Sequence, residues 1–226
     1  MTDQKYREAR IEVATELRRL NNALVGHRPT ADVLHAIRSA VDQFIEKVES
    51  SPKRANPLKF LTEPDVQDAL AAGDVSTLLR RAKTTSMFED SIVSGPANPM
   101  SLAAEYEKDG EGVLTRVTLG PAFEGAPGRA HGGIIAALFD ETMGAVLPLA
   151  GTLAFTGTLT IAYRAPAPLE QELLIRARIT SKQGRKINIE ATGHAQDVLF
   201  AEAQAVFIAV ADMNPTPLEP GPATGD

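Results

Sequence analysis

The chain has 226 residues, enough for one domain with an appendage or for two small domains. A net charge of −6 argues against the broad basic surface that nucleic acid or anionic lipid demands, and the absence of cysteine removes disulfides, thiolate zinc sites and cysteine nucleophiles together. The charged start MTDQKYREAR lacks the apolar core of a signal peptide, and no apolar run reaches the roughly 18 residues of a membrane span, so a soluble cytoplasmic protein is expected.

Val13, Leu17, Leu20 and Leu24 recur at helical spacing, as do Leu34, Ile37, Val41, Phe44 and Val48. Two amphipathic helices are predicted, the first ending at Gly26 and the second capped by Thr30 after Pro29. Such a hairpin packs on the main domain or on a second subunit, or serves as a lid over an active site. SSPKRANP interrupts this region, EPDVQDALAAGDVSTLLRRAK predicts one or two short helices, and SGPANP interrupts again.

After Pro99 the pattern changes. LAAEYE and VLTRVTLG, separated by Lys108 to Gly112, read as two strands joined by a turn. Next comes GRAHGGIIAALFDETMGAVL, a helix bounded by Gly128 and Pro148 and apolar nearly all round. Strands follow it. Leu173, Ile175, Ala177 and Ile179 alternate with outward residues, Ile187, Ile189 and Ala191 do the same, and Leu199, Ala201, Ala203, Ala205 and Phe207 are set opposite Phe200, Glu202 and Gln204. Connections as short as SKQG require antiparallel pairing. The order is two strands, one helix and four strands. A helix greasy on every side has to be surrounded, and one antiparallel sheet curled around it meets that need. Residues 1–85 are thus predicted as a helical extension, 86–212 as an α+β domain, and the Pro- and Gly-rich 213–226 as a disordered tail.

Within the central helix Asp140 needs a reason, because a buried carboxylate must be hydrogen-bonded, protonated or facing a cleft. Glu141, about 100° further round, is expected to face water or an interface. His131-Gly132-Gly133 at the helix start lets a ligand approach the backbone, beside amides that are unpaired donors at the positive end of the dipole. An oxyanion or phosphate suits that position; the bland alternative is a tight strand-to-helix turn. Asp140 lies eight residues beyond Gly132, or about 12 Å along a helix. Both groups of one chain therefore cannot reach one reacting carbon, whereas a twofold dimer with antiparallel helices would bring Asp140 of one subunit to Gly132 of the other. The four histidines show no metal-ligand spacing, so no metal is expected, and the lack of G-x-S-x-G disfavours a serine hydrolase.

These residues, in this order of elements, resemble the hotdog-fold acyl-CoA thioesterases of the PaaI-like family. GRAHGGIIAALFDETMG is similar to that family's HGG…D signature and TGTLTIAYRAPAPL to its following strand, over roughly residues 90–212. The resemblance implies a hotdog domain with no cofactor beyond the coenzyme A carried by the substrate. It implies that the Gly132 N–H binds the thioester oxygen, beside Gly133, and that Asp140 is general base or nucleophile. Thr156 would position water, and His131 would orient the turn or touch the thioester. Arg164, Arg185 and Lys186 would meet the phosphates of coenzyme A. The expected assembly is a homodimer with sites at the interface, open to pairing into tetramers. Rivals are a hotdog hydratase or dehydratase, and a non-catalytic acyl-CoA-binding module signalling through the N-terminal helices. Acyl chain identity, and coenzyme A versus a carrier protein, stay open.

Overall fold

A computed structural model describes residues 3–54, 63–72, 77, 88–150 and 154–209. Its elements are helices α1 (Asp3–Gly26), α2 (Ala31–Glu49) and α3 (Pro64–Ala72), strands β1 (Glu105–Asp109) and β2 (Gly112–Thr118), helix α4 (Gly132–Gly144), and strands β3 (Ala154–Tyr163), β4 (Glu172–Gln183), β5 (Lys186–Ala195) and β6 (Val198–Ala209). The predicted run of two strands, one helix and four strands is present. The expected tail, 213–226, and the second half of the 63–83 segment lie outside the described residues, apart from Thr77.

All neighbouring strands pair antiparallel, in the order β1-β2-β4-β5-β6-β3. Helix α4 packs against β2, β3, β4 and β5, burying Ile135, Leu138, Phe139 and Met143. Opposite them are Leu173, Ile175 and Ala177 of β4 and Ile187, Ile189 and Ala191 of β5, the inward sets the alternation predicted. One strand departs from the simple period. Gly193 pairs with Ala201 but His194 pairs with Leu199, so Phe200 is an extra residue bulged out of β6. The bulge turns Phe200 inward beside Ala201, against expectation, and its ring meets Phe139 edge-on at 6.3 Å between centroids. A Cβ at Gly193 would stand 2.5 Å from that ring, which is why β5 carries glycine there.

The N-terminal helices keep their predicted limits: α1 ends at Gly26, and the Thr30 hydroxyl caps α2 by accepting from Val33 N–H. Within this chain their apolar stripes are only partly covered. Helix α1 meets the domain with a polar stripe, Arg7, Arg10, Arg18 and Asn22 around buried Ala14, while Val13 is 60% exposed. On α2 no side chain is buried, and Phe44 is 63% exposed. Helical spacing finds an apolar face without saying whether that face is covered.

Candidate functional site

His131 is the N-cap of α4. Its Nδ1 accepts from the Gly133 N–H at 3.0 Å, which requires an unprotonated Nδ1. The His131 carbonyl accepts from the amides of Ile134 and Ile135. Of the first four amides, Gly132 N–H alone has no partner among the described residues. Gly132 is exposed, and its amide stands at the positive end of the helix dipole. The amide of Gly133, a residue placed in the sequence reading beside the ligand, is committed to the cap.

Asp140, eight residues on in the same unbroken helix, is half-buried and accepts from the Thr156 hydroxyl at 2.8 Å. Strand β3 brings that hydroxyl to the helix through an irregularity: Thr156 pairs with Phe207 and Thr158 with Val206, leaving Gly157 as an extra residue. Without the bulge, Thr156 and Tyr163, seven residues apart, would point to opposite faces of the sheet. With it both face α4. Tyr163 donates its hydroxyl to the Gly132 carbonyl at 2.8 Å, so β3 touches α4 at both candidate positions. Nothing in sequence periodicity marks Tyr163, and Gly157 was the available signal.

The predicted cations divide between the two ends. Arg164 follows Tyr163 at the Gly132 end and is paired with Glu202. Arg185 and Lys186 sit at the β4–β5 turn, where Lys186 lies in register with Ile208 and, through it, Phe155 next to Thr156. Arg185 Nε donates to the Ala209 carbonyl at 3.0 Å. Within one chain the two ends are thus separate, about 12 Å apart along α4 by helical rise.

Glu141 corrects its prediction. Rather than facing water, it accepts from the hydroxyls of Ser91, Ser94 and, at 2.8 Å, Tyr106. Those partners come from a loop and a strand 35 to 50 positions upstream, a distance no local pattern spans. Burial, and after it the charge of Glu141, hold the Tyr106 phenol well above its ordinary range. The folded chain therefore keeps this proton where the unfolded chain, with a pKa of about 10, loses it. The associated stability is present below that value and is lost as pH rises past it. In urea titrations the stability difference between the wild type and Tyr106→Phe should shrink from about pH 9 to 11; a constant difference contradicts the assignment.

A groove of about 1070 Å³ lies on the sheet face opposite α4, lined by Arg176, Arg178, Glu190, Glu202 and Gln204 among others. Its arginines are paired, Arg176 with Asp109 and Arg178 with Glu190, and it includes none of His131, Gly132, Asp140 or Thr156. Among the described residues no group of His, Asp and Glu could hold a metal ion, and no helix is long and apolar enough to cross a membrane.

In sequence and in fold the chain is similar to known thioesterases. The Thioesterase superfamily model matches residues 127–201, which contain His131, Gly132, Asp140, Thr156 and Tyr163. Acyl-coenzyme A thioesterase THEM4 of Xenopus laevis is 38% identical over 106 residues, 46% of this chain and 47% of that protein. The mouse protein of the same name is 27% identical over 181 residues, 76% of each chain. The match thus spans about half of the Xenopus protein and three quarters of the mouse one. A crystal structure of a thioesterase superfamily protein superposes with a TM-score of 0.68 at 22% identity, covering 88% of this chain and 90% of that one, and the shared fold is the hotdog.

Proposed function

We propose that the chain, a hotdog fold whose residues 127–201 match the Thioesterase superfamily model, hydrolyses acyl-CoA thioesters to a free carboxylic acid and coenzyme A. The observation that carries this reading is a pair of unlike half-sites on one helix: a free Gly132 N–H at its start, and an Asp140 carboxylate held by Thr156 further along. One half suits a developing oxyanion and the other suits a water molecule that must lose a proton. Asp140 takes that proton as the water oxygen attacks the carbonyl carbon. The oxyanion is bound by the Gly132 amide, the intermediate collapses with cleavage of the C–S bond, and the departing thiolate receives the proton that Asp140 took from water, which returns the carboxylate to its starting state.

The halves are too far apart on one helix to share a carbonyl, so the reading includes a twofold dimer. Asp140 and Thr156 of one subunit then face Gly132 and His131 of the other. Strand β3 supports it, being an edge strand that touches both half-sites and leaves one row of backbone groups unpaired. The same symmetry sets one subunit's Arg164 beside its neighbour's Arg185 and Lys186, and phosphates would be held from both chains. Since Arg164 brings Glu202 with it, Arg185 and Lys186 are the stronger phosphate contacts. Within the superfamily, HGG followed by Asp140 assigns the chain to the PaaI-like branch on this reading.

The test is a thiol-release assay on the full chain over short, long and aromatic acyl-CoA substrates. Free thiol appearing with the acid is the expected result. Loss of water at the 2,3-bond without thiol release would replace this reading by a hydratase or dehydratase, and binding without turnover by a regulatory module.

A further inference from the structure

Helix α1 grips the two segments that lead to the two ends of α4. Near its C-terminus, the Asn22 side chain donates through Nδ2 to the Arg18 carbonyl at 3.0 Å. Because that carbonyl can only accept, the amide orientation is fixed, and Oδ1 is left to accept from Ala122 N–H at 3.1 Å. Ala122 belongs to the turn Pro121–Phe123. The next carbonyl, that of Phe123, accepts from His131 N–H at 2.9 Å, and His131 Nδ1 engages the Gly133 amide. Three consecutive contacts therefore join Asn22 to the cap that leaves Gly132 N–H as the free donor. Gly120 shows how closely the helix approaches: a Cβ there would lie 2.1 Å from Asn22 Oδ1. Its backbone is extended, with φ −87° and ψ −178°, so the close approach and not the dihedral is what calls for glycine.

Along the rest of its length α1 holds the other segment. Arg7 pairs with Glu89 and Arg10 with Asp90, while Arg18 donates to the carbonyls of Pro96, at 3.1 Å, and Asn98, at 2.8 Å. Between these contacts lie Ser91 and Ser94, which hold Glu141 beside Asp140.

We propose that Asn22 is a positioning residue for the Gly132 half-site, and that α1 is a brace setting the loop from Gly120 to His131 from outside the hotdog domain. The inference rests on the thioesterase reading for its catalytic consequence but not for its mechanical one. An oxyanion donor must sit within about 3 Å of the charge it stabilises, and misplacement by an ångström far from the chemistry can cost about a hundredfold. Loss of the Asn22 contact frees the turn, lets the His131 cap wander and blurs the aim of the Gly132 amide. Ground-state binding draws on other contacts.

The test uses the full chain and three variants. Asn22→Ala should lower kcat about tenfold with KM unchanged. Asn22→Asp keeps the Oδ1 acceptor and should restore most of the rate. Gly120→Ala, which pushes Asn22 away from the other side, should reproduce the loss. Hydrogen exchange of the amides from 123 to 135 should quicken in Asn22→Ala and Gly120→Ala but not in Asn22→Asp. Should either substitution prevent folding, the remaining one, with Asn22→Asp, still decides. Wild-type kcat in Asn22→Ala or Gly120→Ala overturns the proposal, and with Asp140→Asn inactive the thioesterase reading survives that result. If the wild type cleaves no thioester the functional reading fails by itself, and unchanged exchange in Asn22→Ala then overturns the brace.

Discussion

Asp140→Asn should lower kcat by about two to four orders of magnitude, the range that positioned proton transfer supplies. The substitution keeps shape and hydrogen bonding: Thr156 can still donate to the Oδ1 that accepts from it at 2.8 Å. Only the charge and the basic lone pair go. Binding of a non-hydrolysable acyl-CoA analogue should therefore stay at the wild-type level while thiol release falls. Asp140 as nucleophile predicts the same loss, but with a transient acyl-enzyme in the wild type that single-turnover mass spectrometry would trap. Unchanged turnover in Asp140→Asn would end the assignment in either form.

Gly132→Pro is the matching change at the other half-site. Proline at the first position of a helix is well accepted, because its missing N–H has no intrahelical partner and its φ suits the helix. The preceding residue must be extended, and His131 already is, with φ −65° and ψ 133°. The substitution thus deletes the one free amide while sparing α4. Where single oxyanion donors have been removed in other enzymes, kcat falls by about 10²- to 10³-fold, and that loss is expected here with little change in melting temperature. Gly132→Ala retains the amide, and its Cβ would meet the Tyr163 hydroxyl at 3.5 Å, an ordinary contact. Activity should fall in the order Gly, Ala, Pro. Proline as active as alanine would show that the amide carries no charge.

The fold could be read from the sequence because its core obeys simple periods. Buried Leu173, Ile175 and Ala177 alternate along β4, and α4 is apolar on the faces that meet four strands. What escaped the reading are places where a bulge or a distant loop overrides the period. Phe200 turns inward at a bulge, and Thr156 shares a face with Tyr163 only because Gly157 is inserted between the paired positions. Glu141 and Asn22 find their partners across 35 or more positions, where spacing carries no information. The candidate site was legible in part. An unpaired amide at the helix start follows from helical geometry, but which amide stays free depends on His131 capping Gly133. The packing face of α1 was not legible, since the contacts that tie it to the domain are made by arginines and an asparagine while Val13 and Leu17 of its apolar stripe stay exposed.

The account stands on a site shared between two subunits, and mixing two inactive proteins tests that most directly. Asp140→Asn and Gly132→Pro are each silent in both sites of their own homodimer. In a mixed dimer one site has both defects and the other has neither. Random exchange at equal concentrations makes half the dimers mixed, so activity should return to about a quarter of the wild-type level. No recovery, with subunit exchange verified by mass spectrometry of differently tagged chains, would contradict a shared site.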